Sequence, residues 1–161
     1  MKVIFLDIDG VLNSDEYFDK ILNKEITGIE QDVDVEKVKL LKEAVNITGA
    51  KVVLSSSWRY TRKAQELREL LIEYGISTDV TPFLQNHRGL EIKKWLMDNP
   101  DTEDFVILDD EIFDSYDEFL LSKLIKVSDA NGKGFGTGLL QKDIINIINK
   151  LESKTVKKGY K

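Results

Sequence analysis

Apolar residues along this chain fall into two alternating patterns, short unbroken runs and stripes at helical spacing. Val3 to Ile8 is β-branched and aromatic and stops at Asp9-Gly10, which predicts a short buried strand followed by a turn. From Val33 onward, Val35, Val38, Leu41 and Val45 recur at helical spacing, and Gly49 closes the segment as a C-terminal cap. Lys51 to Leu54 predicts a second strand, which Ser55-Ser56-Ser57 leaves for a helix carrying Ala64, Leu67, Leu70, Leu71 and Tyr74 up to Gly75. Ile76 to Val80 reads as a short third strand. Leu90, Ile92, Trp95 and Leu96 mark another helix, ended near Asn99-Pro100. Phe105 to Leu108 and Leu124 to Val127 predict two more strands, and Leu140, Ile144, Ile147, Ile148 and Leu151 a closing amphipathic helix.

Strands that are continuously apolar and alternate with helices imply an α/β fold, a parallel sheet covered on both faces. The carboxyl ends of its strands then line one edge, where open α/β sheets bind ligands. Asp7, Ser55 and Asp109 all fall at such ends. At 161 residues the chain is expected to form one domain over 1–152, followed by a lysine-rich tail over 153–161.

Composition narrows the chemistry. With no cysteine, thiolate metal sites, disulfides and cysteine nucleophiles are excluded, and the one histidine, His87, reads as a surface or loop residue. The net charge of −6 argues against a protein that grips long nucleic acid. Asp7 and Asp9 interrupt the apolar N-terminal stretch, and no run approaches the ~18 residues of a membrane span, so a cytoplasmic protein without a membrane partner is expected. The glycine-rich NGKGFGTG segment (131–138) fits neither dinucleotide nor P-loop spacing, and reads as a mobile loop near the site.

The remaining candidates are carboxylates. Asp7 and Asp9 start on one face of an extended chain, roughly 6.6 Å apart. Asp109 and Asp110 end another strand, and bringing two such charges within ~4 Å costs about 4 kcal/mol at an effective dielectric of 20, so a cation is required. Oxygen-only ligands suit a hard ion, Mg²⁺, which also bridges to phosphate. Asp7 can attack phosphorus to give an aspartyl phosphate, with Asp9 protonating the leaving alkoxide and then activating water. Ser55 offers a hydroxyl, and the backbone N–H groups after Asp7 and Ser55 a phosphate cradle to which Gly10 and Ser56 contribute. Arg59 binds either substrate phosphate or a neighbouring acid, the latter being favoured. The three serines also suit capping of the next turn, and Trp58 and Trp95 suit packing.

FLDIDGVLN (5–13), VVLSSSWR (52–59), a basic residue at Arg88 or Lys93 and VILDDE (106–111) together resemble, in order, the four motifs of the haloacid dehalogenase (HAD) superfamily. The resemblance implies Asp7 as nucleophile, Asp9 as acid/base with its carbonyl on Mg²⁺, Ser55 as phosphate donor, and Asp109 and Asp110 as magnesium acids. It also implies a Rossmann-like three-layer αβα sandwich with sheet order 3-2-1-4-5. DGVLN, SSSWR, RGLEIKKWL (88–96) and ILDDE are further similar to compact phosphatase domains of bacterial and phage RNA-repair proteins. The third motif is usually a lysine; Arg88 is favoured here over Lys93, and Asp114 stands as an alternative to Asp110. Ser14 to Asp32 is too short for a cap domain, leaving at most a flap over an open site. The expected activity is phosphomonoester hydrolysis on nucleotides or nucleic-acid ends. Sugar phosphates, a receiver-like phosphoacceptor module and a non-catalytic Mg²⁺-binding domain are the alternatives, and the oligomeric state is left open.

Overall fold

Five strands, β1 (Lys2–Leu6), β2 (Lys51–Leu54), β3 (Thr78–Val80), β4 (Asp104–Asp109) and β5 (Leu124–Lys126), form one parallel sheet ordered β3-β2-β1-β4-β5 in the computed structural model, which describes residues 1–128 and 133–159, with side chains up to 152. This is the expected Rossmann-like order. Ile4 at the centre of β1 pairs with Val52 on one side and Val106 on the other. The ladder runs on past the strand ends: Asp7 N donates to Leu108 O at 3.0 Å and Ser55 N to Leu6 O at 3.0 Å. Those two bonds hold the first candidate site residues of neighbouring strands side by side.

Among the described residues six helices, α1 (Asp15–Ile21), α2 (Val35–Thr48), α3 (Lys63–Glu73), α4 (Arg88–Asp98), α5 (Glu118–Leu121) and α6 (Gln141–Gly159), flank the sheet. Ile4 and Leu6 share a core with Val38, Leu41, Leu67, Leu71, Ile144 and Ile147, so α2, α3 and α6 cover one face. Val3 and Phe5 point the other way, into a core with Ile92, Trp95 and Leu120 from α4 and α5. Burial on both faces is why β1 shows no polar alternation. The helix boundaries follow local chemistry: Asp34 Oδ1 accepts from Glu36 N at 3.0 Å to start α2, and Gly49, at φ +70°, ends it by donating to Val45 O at 2.8 Å.

Two expectations shift. The helix around Trp95 is present, but Leu90 is exposed, and the buried stripe of α4 is Gly89, Glu91, Ile92 and Trp95. The flap between Ser14 and Asp32 contains a helix, α1, capped by Ser14 Oγ accepting from Tyr17 N, and a 3-10 turn at Gly28–Gln31. The side chains of the lysine-rich segment 153–161 lie outside the described residues. Among those described, no helix is long and apolar enough to cross a membrane.

Candidate active site

The chain leaves β1 through Asp7-Ile8-Asp9-Gly10, a turn that only glycine closes. Gly10 sits at φ +79°, and a Cβ there would lie 2.2 Å from Asp110 Oδ2. Buried Asn13 fixes the turn: its Oδ1 accepts from Gly10 N at 2.8 Å, while its Nδ2 donates to Asp9 Oδ1 at 3.1 Å and Asp32 O at 2.9 Å. Trp58 Nε1 donates to the other Asp9 oxygen at 3.1 Å. Asp9 is thereby aimed by two donors while remaining exposed to solvent.

Asp7, Asp109 and Asp110 are all buried, and an oxygen from each lies within 4.8 Å of the others. Arg88 Nη1 meets Asp7 Oδ1 at 3.1 Å and Asp109 Oδ2 at 2.9 Å. The fully buried Asp109 also accepts from Tyr116 Oη at 2.9 Å and from Glu111 N at 3.1 Å. Burial and the neighbouring Asp109 push the Asp7 carboxyl well above the usual range and Asp110 up to about 6. At Arg88 burial opposes the charge, but Asp7 and Asp109 outweigh it and hold the guanidinium protonated. Three carboxylates face one guanidinium, which leaves up to two negative charges for a cation to neutralise.

A glycine again sets the geometry. A Cβ at Gly89 would lie 2.1 Å from Ser115 O, and Gly89 N donates to Ser115 Oγ at 2.8 Å. This close approach seats the first turn of α4 against the loop after β4 and delivers Arg88 to Asp109. Arg88 also lies 4.4 Å over the Phe113 ring. Lys93 pairs instead with Asp117 at the surface, and Asp114 is exposed outside the acidic cluster.

The three serines separate by role. Ser56 Oγ accepts from Trp58 N at 3.1 Å, starting the 3-10 turn Ser57–Tyr60. Ser57 is exposed. Ser55 is fully buried, and its hydroxyl has no hydrogen-bond partner among the described residues. An orphaned buried hydroxyl at a strand end is costly unless a ligand completes it. Arg59 takes the structural alternative: its side chain is 2% exposed, Nη2 pairs with Glu91 Oε1 at 2.8 Å, and Nε and Nη1 donate to the carbonyls of Thr81, Ser55 and Ser56. With its fork so engaged, Arg59 braces the serine turn and does not line the cleft.

That cleft, of about 240 Å³, is lined by Asp7, Asp9, Ser56, Arg88, Asp110 and Gly134 among others. Gly134 brings the described part of the glycine-rich segment to the site; residues 129–132 lie outside the described residues. The donors are oxygen-only and carry excess negative charge, which fits Mg²⁺ better than a softer metal. Sequence reasoning missed Asn13, Tyr116, Phe113 and Glu91, and read Trp58 as packing although its indole bonds Asp9. Asn13 carried one local signal, its position three residues after the turn glycine.

A doubly wound parallel sheet with aspartates leaving β1, an unpartnered serine leaving β2 and an acidic pair ending β4 is the arrangement expected of a HAD-type domain. Comparison with known families takes this further: the family described as the HAD domain in Swiss Army Knife RNA repair proteins matches residues 3–133, and the chain belongs to it. No match is found among curated proteins or solved structures.

Proposed function

We propose that this protein is a Mg²⁺-dependent phosphomonoester hydrolase that works through an aspartyl phosphate and acts on phosphorylated nucleotides or nucleic-acid ends. The observation that carries this reading is the pairing of a buried Asp7, Asp109 and Asp110 cluster with an unpartnered buried hydroxyl on Ser55, whose backbone N bonds Leu6 O next to Asp7. Asp7 attacks phosphorus as the ester P–O bond breaks, and Asp9 donates its proton to the departing alkoxide. Asp9 then removes a proton from water as that water attacks the phosphoryl group, releasing inorganic phosphate and restoring Asp7. Asn13 and Trp58 hold Asp9 in position through both steps. Ser55 and the Arg88 guanidinium stabilise the equatorial phosphate oxygens. Asp7, Asp109, Asp110 and the Asp9 carbonyl are the groups that would hold Mg²⁺, which would supply neutralisation of the anionic nucleophile and phosphate.

The family's link to RNA repair and an open cleft favour the end of a nucleic acid over a small sugar phosphate. A net charge of −6 fits recognition of an end better than a grip on a long backbone. A receiver-like switch is disfavoured because Asp9 promotes turnover, whereas a switch needs a lasting phosphoaspartate. The test is phosphate release from phosphorylated oligonucleotides, nucleotides and sugar phosphates, with Mg²⁺ and with chelator. Asp7→Asn should reduce release to background; full activity in that variant, or in chelator, refutes the mechanism, and activity confined to sugar phosphates refutes the substrate class.

A further inference from the structure

Two exposed aromatic rings that the proposed chemistry does not use stand on segments that lead to cleft-lining residues, Tyr60 three positions after Ser57 and Phe83 five before Arg88. Tyr60 and Phe83 are 46% and 57% exposed, and their rings meet edge to face with centroids 5.1 Å apart. Tyr60 ends the 3-10 turn that begins at Ser57, a cleft-lining residue, so the backbone rises about 6 Å between the two. Phe83 lies on the same edge, two residues beyond Thr81, whose N donates to Leu54 O at the end of β2.

The rings are held in place. Glu91 Oε2 accepts from Leu84 N at 2.8 Å and from Tyr60 Oη at 3.4 Å, while Glu91 Oε1 pairs with Arg59. Arg59 in turn lies 4.1 Å from the Tyr60 ring centroid and bonds the carbonyls of Ser55 and Ser56. Tyr60 is therefore tied through Arg59 and Glu91 to the turn that follows Ser55, and Phe83 to Tyr60 through the ring contact. Between Phe83 and Arg88, Gln85 and Asn86 sit at φ +56° and +63°, consecutive left-handed residues other than glycine. Such backbone is retained where the position of its neighbours matters.

We propose that Tyr60 and Phe83 form a stacking shelf for the nucleobase of the terminal nucleotide whose phosphate occupies the cleft. This rests on the phosphohydrolase reading and names its specificity element. A π-face accepts every base, so the shelf selects nucleotide ends over sugar phosphates without selecting sequence. Phosphate anchoring by Ser55 and Arg88 and base stacking on the rings would act on opposite ends of one nucleotide.

The experiment uses short RNA oligonucleotides phosphorylated at one end, the terminal base present or replaced by an abasic residue. The wild type should favour the base-bearing end by roughly tenfold in kcat/KM, mostly through KM. Tyr60→Ala and Phe83→Ala should each erase most of that preference and leave abasic hydrolysis unchanged, and Tyr60→Phe should retain it. Equal losses on both substrates would make the rings structural braces and overturn the shelf. Titrating the same oligonucleotides onto the Asp7→Asn protein reads the base preference as a ratio of Kd values without turnover. Equal affinities there overturn the shelf whether or not hydrolysis is found, whereas a base preference without wild-type hydrolysis sinks only the phosphatase reading. A change of oligomeric state in Phe83→Ala, with no base preference, would assign the rings to a contact between copies.

Discussion

Two largely buried arginine side chains flank the carboxyl edge of the sheet, and their surroundings differ. Arg59, on the β2 side, spends its fork on Glu91 and on backbone carbonyls. Arg88, on the β4 side, makes both of its ion pairs through Nη1 alone, to Asp7 and Asp109. The first is a completed network and the second an incomplete one facing a cleft. Burial and charge alone do not separate a brace from a substrate ligand; the count of donors still uncommitted does.

The comparison breaks most readily on the Arg59 side. Removing one partner of a buried ion pair leaves an uncompensated charge, so Arg59→Ala should destabilise the fold by about 3–5 kcal/mol in urea titration. A loss below about 1 kcal/mol would mean that Arg59 is not a brace. Arg88→Lys keeps the charge but loses the planar fork, and should lower kcat/KM roughly 100-fold, about 2.7 kcal/mol, while the urea midpoint changes little. An activity loss matched by equal unfolding would merge the two arginines into one role.

Smaller effects sharpen the acidic side. Asp110→Asn removes one of three crowded carboxylates and should stabilise the Mg²⁺-free protein by roughly 1–2 kcal/mol, while abolishing the thermal shift that Mg²⁺ gives the wild type. The sign follows from the raised carboxyl: held near 6 when folded and near 3.8 when unfolded, it binds its proton more tightly in the native state. Its contribution to stability in the Mg²⁺-free protein therefore increases as pH falls from 7 toward 4, and Asp110→Asn should flatten that slope. Ser55→Ala is the smallest change, leaving the fold as stable or more stable by up to about 1 kcal/mol because an orphaned hydroxyl disappears. Its kcat/KM should still fall about tenfold, measurable as phosphate release.

Much of the architecture was legible because buried parallel strands are short apolar runs, and a charged residue at the end of one stands out. Asp7, Asp109 and Asp110 could be picked out on that basis. α1 was not, because Asp15 to Ile21 contains no fully buried residue and hence no clear stripe. Leu90 misled for the opposite reason, an apolar residue on the outer face of α4. Asn13, Tyr116 and Glu91 carry no local pattern; each acquires meaning only from its partner's position.

From sequence alone came the alternation of strands and helices, the acids at the strand ends and the family to which they point, because backbone periodicity and hydrophobic burial are local in the chain. Which cation meets Asp7, which serine stays unpartnered and which arginine is a brace were decided by tertiary structure. Those choices depend on approaches between distant segments, such as Gly89 against Ser115, and distance across a fold leaves no period to read.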